Sequence, residues 1–143
     1  MPYLNLDDEF TEHPKIDGLS DGAFRLHVSG MRYCAKNTSD GIIPAGRVDR
    51  LKPNYKAAQL NELIRSKVWH KGGDGCGTEH CPTGALGEYV VHDYLQWNKP
   101  AEWWEARRKA ETERKANYRR EQAEKERRLA ELEAQKPKGL RSA

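Results

Sequence analysis

Between Lys71 and Gly87 the chain carries six glycines: Gly72, Gly73, Gly75, Gly77, Gly84 and Gly87. Glycine loses more conformational freedom on folding than any other residue, so no regular helix or strand is expected across this stretch. The fold must therefore be built around a long loop joining what lies on either side. Trp69-His70 precedes it, and Tyr89-Val-Val-His-Asp-Tyr-Leu-Gln-Trp-Asn98 follows it. Both read as strands, the second because it is rich in β-branched and aromatic residues.

Upstream, the pattern turns helical. Ser20 is a suitable N-cap and Asp21 suits the positive end of a helix. Ala23, Leu26, Gly30, Tyr33 and Cys34 then fall on one face, widened by Phe24, Val28 and Met31. Asn-Thr-Ser-Asp-Gly from Asn37 supplies turn chemistry, so the helix should span Ser20 to Asn37. Gly41-Ile42-Ile43 has room only for a short strand. Pro44 suits the first turn of a second helix, Ala45 to Leu51. Pro53 stops it, and Asn54 can cap a third helix from Tyr55 to about Lys67, with Ala57, Leu60, Leu63, Ile64 and Val68 as its apolar face. Residues 1–19 are polar and acidic and read as an extended lead-in.

Charge divides the chain. It holds 25 Lys/Arg and 22 Asp/Glu, for a net charge of +3. Residues 1–98 contain 11 basic and 13 acidic side chains, leaving 14 and 9 for residues 99–143. Asn98-Lys99-Pro100 marks the boundary between a slightly acidic domain, 1–98, and a basic tail, 99–143. From Ala101 to Gln135 the tail lacks Gly and Pro, and Glu105/Lys109, Glu111/Lys115, Glu121/Lys125 and Glu124/Arg128 are acid-then-base pairs four residues apart. A helix of about 50 Å is expected at 1.5 Å per residue. With only Tyr118, Leu129, Leu132 and scattered alanines after Trp103 and Trp104, it lacks the seam of a coiled coil. No apolar run has the length of a membrane span, and no leader of the secretory kind is seen, so the expected location is the cytoplasm. Three cysteines argue against a disulfide framework there.

Helix, short strand, two helices, strand, glycine-rich loop and strand is the element order of a winged helix. The fold expected is thus α+β: a winged helix-turn-helix domain followed by a long charged C-terminal helix. In such a domain the third helix enters the major groove. Lys56, Gln59 and Arg65 are then the candidate base readers, with Asn54 and Tyr55 at the helix start. Arg47, Arg50 and, from the loop, Lys71 would contact phosphates. The plainer reading of these residues is a solvated helix face, and the element order tips the balance towards DNA. Trp97, Trp103 and Trp104 are read as pinning the first tail turn to the core rather than stacking on bases.

The loop also holds metal-ligand residues. His70, Cys76, His80 and Cys81 are the candidate set, with His92 on the returning strand. Thiolate and imidazole are the ligands zinc prefers, and an ion would offset the entropic cost of ordering so many glycines. Against it stands the spacing: Cys76 and Cys81 are separated by four residues, and adjacent residues such as His80 and Cys81 rarely bind one ion together. The alternative is a mobile loop with incidental cysteines. Catalysis has little support. His92 and Asp93, as neighbours on a strand, should point to opposite faces and not pair. Cys34 reads as a small core residue, and Gly73 to Gly77 lacks the following helix that a dinucleotide fingerprint needs.

Leu19-Ser-Asp-Gly-Ala-Phe-Arg-Leu-His-Val28, Asp40-Gly-Ile-Ile-Pro44, Leu60-Asn-Glu-Leu-Ile64, Val68-Trp-His70 and the Tyr89–Asn98 run, in this order, resemble a group of phage and prophage helix-turn-helix proteins. These are the replisome-organiser-like proteins with a DnaD-type N-terminal winged helix. The resemblance covers residues 1–98 and implies duplex DNA as partner, a role in replication initiation or transcription control, and for some relatives a His/Cys-containing wing. Longer members continue into a second folded domain, whereas here a charged helix follows. The function expected is non-catalytic DNA binding. The rival is an adaptor that binds a host or replication protein through the winged helix and the C-terminal helix.

Overall fold

The computed structural model describes residues 2–137. Residues 138–143 of the expected tail lie outside them. The chain divides into two units, Met1–Trp104 and Glu105–Ala143, six residues beyond the boundary expected at residue 98.

In the first unit a 3-10 turn at Phe10–Glu12 and a short helix α1 (Pro14–Asp17) precede the first long helix, α2 (Asp21–Asn37). The lead-in is thus partly helical, because Ile16 has core to bury against. Ser20 caps α2 as expected, its hydroxyl accepting from the Ala23 N–H at 3.3 Å. Strand β1 (Ile42–Pro44) follows, then the one-turn helix α3 (Ala45–Val48), helix α4 (Ala57–Arg65) and strands β2 (Trp69–Lys71) and β3 (Glu88–Val91). Helix α5 (Tyr94–Trp97) leads into α6 (Ala101–Gln135). Both α3 and α4 are shorter than their apolar patterns suggest. Lys52 sits between them, donating from Nζ to the Asn54 carbonyl and to Gln59 Oε1, which ties the connection into a non-helical turn.

The strands form one antiparallel sheet in the order β1-β3-β2. Trp69 pairs with Val91 and His70 with Val90. By the two-residue alternation of strands, Trp69, Val91, Tyr89 and Ile43 share the face turned to the helices, and His70 and Val90 share the other. The main core joins that inner face to Ala23, Leu26, Met31 and Cys34 of α2 and to Leu60 and Leu63 of α4. Gly30 is essential to this contact, because a Cβ there would overlap the Trp69 indole. The indole N–H in turn donates to buried His27 Nδ1 at 2.9 Å.

The run Tyr89 to Asn98 is not one strand. It leaves extended geometry at Asp93, which is left-handed at φ 53°, and continues as the single turn α5. Burial of Tyr94 drives the change: its ring root packs where a Cβ on Gly41 would stand, and Gly41 has φ +89°. Asn98, also buried, accepts the Asn5 N–H and donates to the Tyr94 carbonyl. Ala101 N–H donates to Asp40 Oδ1 at 2.8 Å at the start of α6. Trp104 is buried and meets Tyr3 edge-to-face, as the pinning role requires, while Trp97 is half exposed.

In the second unit α6 runs to Gln135 without interruption, and three of the four anticipated ion pairs close. Among the described residues no helix is long and apolar enough to cross a membrane. The architecture is α+β, helices packed on a small three-stranded sheet with a long charged C-terminal helix.

Candidate metal centre

The outer face of the sheet brings histidines together. His70 lies opposite Val90, and His92 follows Val90 by two residues, so the two imidazoles occupy a diagonal pair on one face. A backbone bond from the His92 N–H to the Val68 carbonyl holds this register one step past the end of β3. His70 Nε2 stands 2.7 Å from His92 Nδ1.

The glycine-rich loop folds back over the same face. Its base is stitched by Gly72 N–H to the Glu88 carbonyl (2.7 Å) and Gly73 N–H to the Thr83 carbonyl (3.0 Å). Gly84, at φ +71°, lets the loop lie against the Val90 side chain, where a Cβ would crowd it. This burial of Val90 delivers Cys76 and Cys81 to the two histidines. One donor atom from each of His70, Cys76, Cys81 and His92 lies within 4.8 Å of every other. A zinc tetrahedron with bonds of about 2.0–2.3 Å has edges of roughly 3.3–3.8 Å. The widest edge here needs about 1 Å of closure by that measure, and a loop of glycines yields that readily. The donor set therefore fits a tetrahedral ion that takes nitrogen and sulfur.

The electrostatics suit ligation. Burial, followed by the mutual influence of the pair, lowers the His70 pKa, and burial outweighs Asp93 to lower that of His92. Both are thus mainly neutral at pH 7, and the proton shared across their 2.7 Å contact must leave and the pair must open before both nitrogens can hold one ion. Burial pushes the Cys81 thiol up to about 11. For Cys76 burial acts upwards too, but hydrogen bonding, including that from the Thr78 backbone and from Cys81, brings the net shift down. Of the two thiols, Cys76 is the more readily ionised.

Of the residues anticipated as ligands, His70, Cys76 and Cys81 converge, and His80 is exposed and outside the group. The fourth position belongs to His92, which sequence proximity to the loop does not favour and strand register does. His92 and Asp93, expected to diverge, meet at 3.0 Å between Nε2 and Oδ2. The left-handed backbone at Asp93 breaks the alternation on which that expectation rested.

The residues anticipated to meet DNA fall into two groups. Arg47, Arg50, Asn54, Lys56, Arg65 and Lys71 are exposed. Tyr55 is half-buried against the core, and Gln59 is turned inward. Its Oε1 accepts from the Lys56 N–H and the Lys52 ammonium, and its amide nitrogen fills the space above Gly22 on α2. Glu62, the acid on α4, is likewise occupied, accepting from the Ser20 N–H and hydroxyl at 2.9 and 3.0 Å. The outward row of α4 is Ala57, Asn61 and Arg65, each one turn from the next. Asn61 was legible from its spacing to Arg65, but only if Gln59 is known to be engaged elsewhere.

Comparison with known proteins returns no match to a family model, to a curated protein or to a solved structure.

Proposed function

We propose that this chain is a non-catalytic, DNA-binding winged-helix protein whose wing is held by one structural zinc ion, acting in replication initiation or transcription control of the phage kind. The observation that carries the DNA reading is the charge of the segment that runs from α3 through α4 to β2. From Ala45 to Lys71 the basic residues are Arg47, Arg50, Lys52, Lys56, Arg65, Lys67 and Lys71, against Asp49 and Glu62 alone. All but Lys52 of these basic residues are exposed, and Glu62 faces α2. The mild acidity of residues 1–98 therefore resides elsewhere, mostly in the lead-in.

On this reading α4 enters the major groove with Asn61 and Arg65. These are the side-chain types that pair with adenine and guanine edges through two hydrogen bonds each. Arg47, Arg50 and Lys71 meet phosphates, and Lys56 sits at the helix start. The element order and the β1-β3-β2 sheet support the winged-helix assignment. Zinc is favoured because two sulfur and two imidazole donors close a four-coordinate site with no position left for a reacting water. When bound, it supplies a cross-link and no chemistry.

Fluorescence anisotropy on labelled duplex DNA across a salt series tests the binding. Affinity should fall steeply with salt as phosphate-bound cations are released. Arg65→Ala and Asn61→Ala should cost about 1–3 kcal/mol each on a preferred sequence. No binding at low salt rejects the reading. The exposed Tyr118, Leu129 and Leu132 of α6 favour a second role, docking of a replication or host protein. Capture of a partner by the full chain but not by a chain ending at residue 104, with no DNA shift by either, would make that role primary.

A further inference from the structure

Two of the four donor side chains, His92 and Cys76, are connected to one another through Asp93 and Thr78, which lie outside the donor group. His92 turns Nδ1 to the donor cluster and Nε2 to Asp93 Oδ2, at 3.0 Å. Asp93 Oδ1 accepts from the Thr78 hydroxyl at 2.9 Å. Thr78 Oγ1 lies 3.2 Å from Cys76 Sγ. The path His92–Asp93–Thr78–Cys76 thus leaves the cluster at one ligand and re-enters it at another. It also joins two parts of the chain that share no secondary structure: the glycine-rich loop and the corner after β3.

Two backbone features make the path. Asp93 is left-handed, a conformation that Asp and Asn adopt more readily than other side-chain-bearing residues. That turn swings its carboxylate to the same side as the His92 ring. Thr78 has a single hydroxyl proton, and it goes to Asp93. Towards Cys76 the hydroxyl can only accept, so the Thr78 backbone N–H is the group that supports the sulfur when it is a thiolate.

We propose that Asp93 and Thr78 are positioning residues of the metal centre. Asp93 holds the His92 proton on Nε2 and thereby keeps the lone pair of Nδ1 aimed at the ion, while Thr78 fixes the Asp93 carboxylate with its hydroxyl and supports Cys76 through its backbone N–H. A carboxylate behind a ligating imidazole fixes its tautomer and orientation and raises its basicity. The inference rests on the zinc reading of the same four donors.

The test uses the full chain, with zinc competed against a chromophoric chelator and cobalt(II) as a spectroscopic probe. Asp93→Asn keeps the size and tolerance of the left-handed backbone but removes the charge. It should weaken zinc binding about 10- to 100-fold and shift the cobalt(II) visible bands while the far-ultraviolet spectrum stays unchanged. Thr78→Val should weaken binding less, and Thr78→Ser should restore it. If wild type binds neither metal, the zinc reading and this inference fall together. If wild type binds one ion and Asp93→Asn matches it in affinity and cobalt spectrum, the positioning role falls and the zinc site stands. Should Asp93→Asn fail to fold, the Val and Ser variants at position 78 decide: equal affinities overturn the proposal, a loss confined to valine upholds it.

Discussion

The loop from Lys71 to Gly87 and helix α6 are both polar segments with little apolar surface, yet they acquire order by opposite means. In α6 every residue from Glu105 to Gln135 except Gln122 is exposed, and the helix is sustained by propensity and by close ion pairs such as Glu124–Arg128 at 2.6 Å. Its structure is a sum of small local terms. The glycine-rich loop has only a few isolated turn bonds of this local kind, such as Asp74 N–H to the Lys71 carbonyl and Cys81 N–H to the Thr78 carbonyl. It is fixed by two backbone bonds at its base, by Val90 beneath it and by convergence of four side chains that could hold a metal ion, from three separate places in the chain. Order of the first kind should erode gradually under perturbation, and order of the second kind should be lost at once.

Loss of the proposed metal ion gives the largest expected difference. Structural zinc sites contribute on the order of 10 kcal/mol of apparent binding free energy at neutral pH. The double substitution Cys76→Ser, Cys81→Ser should take the zinc content of the pure protein from one ion to none. Amide exchange across residues 73–83 should then become fast, with α6 protection unchanged. Equal loss in both regions would break the contrast.

Gly72→Ala comes next. A Cβ at position 72 would overlap the Ala85 carbonyl and stand 2.9 Å from the Glu88 oxygen, both backbone atoms that cannot swing aside. A cost of about 3 kcal/mol is expected in urea denaturation, at the upper end for overpacking. Full tolerance would show that the base of the loop is not rigid.

The core beneath the sheet should respond to acid through His27. Burial lowers its pKa to about 4 from 6.5, and it accepts from the Trp69 indole as a neutral ring. The folded state therefore binds this proton less readily than the unfolded chain. The stabilisation is complete above about pH 6.5 and is lost as pH falls towards 4, amounting to about 2 kcal/mol between pH 7 and 5. His27→Asn, whose Oδ1 can replace Nδ1 as acceptor, should flatten that slope in denaturation measured at both pH values. An unchanged slope assigns the acid sensitivity to other groups.

The smallest effect belongs to α6. Glu124→Ala removes an ion pair whose side chains are 48% and 70% exposed, and should alter stability by only about 0.3 kcal/mol. A cooperative loss of helix signal after this one change would show that α6 is not locally sustained.

Much of the fold could be read before any coordinates, and the readable parts share a cause. Helix α2 begins at its Ser20 cap and ends in the Asn37 turn, and α6 spans Ala101 to Gln135, because caps, breakers and i,i+4 pairs act within a few residues. The same holds for Trp69-His70 as a strand and for three of the four donors. What could not be read depends on distant partners. Tyr89 to Asn98 looks like a strand in isolation, but burial of Tyr94 against Gly41 bends it at Asp93. Gln59 looks like a groove-facing residue, but Gly22 and Lys52 draw it inward. His80 looks like a ligand by its nearness to Cys81, but the sheet register supplies His92 instead.

By itself, then, the sequence determined the α+β composition, the place of the long helix and the chemical type of the donors, since these follow from residue identity and short-range spacing. Tertiary structure alone decided which histidine joins Cys76 and Cys81 and which side chains of α4 remain free. The first is a consequence of strand register, where a shift of one residue reverses the direction of every side chain, and the second of which face of α4 packs on α2.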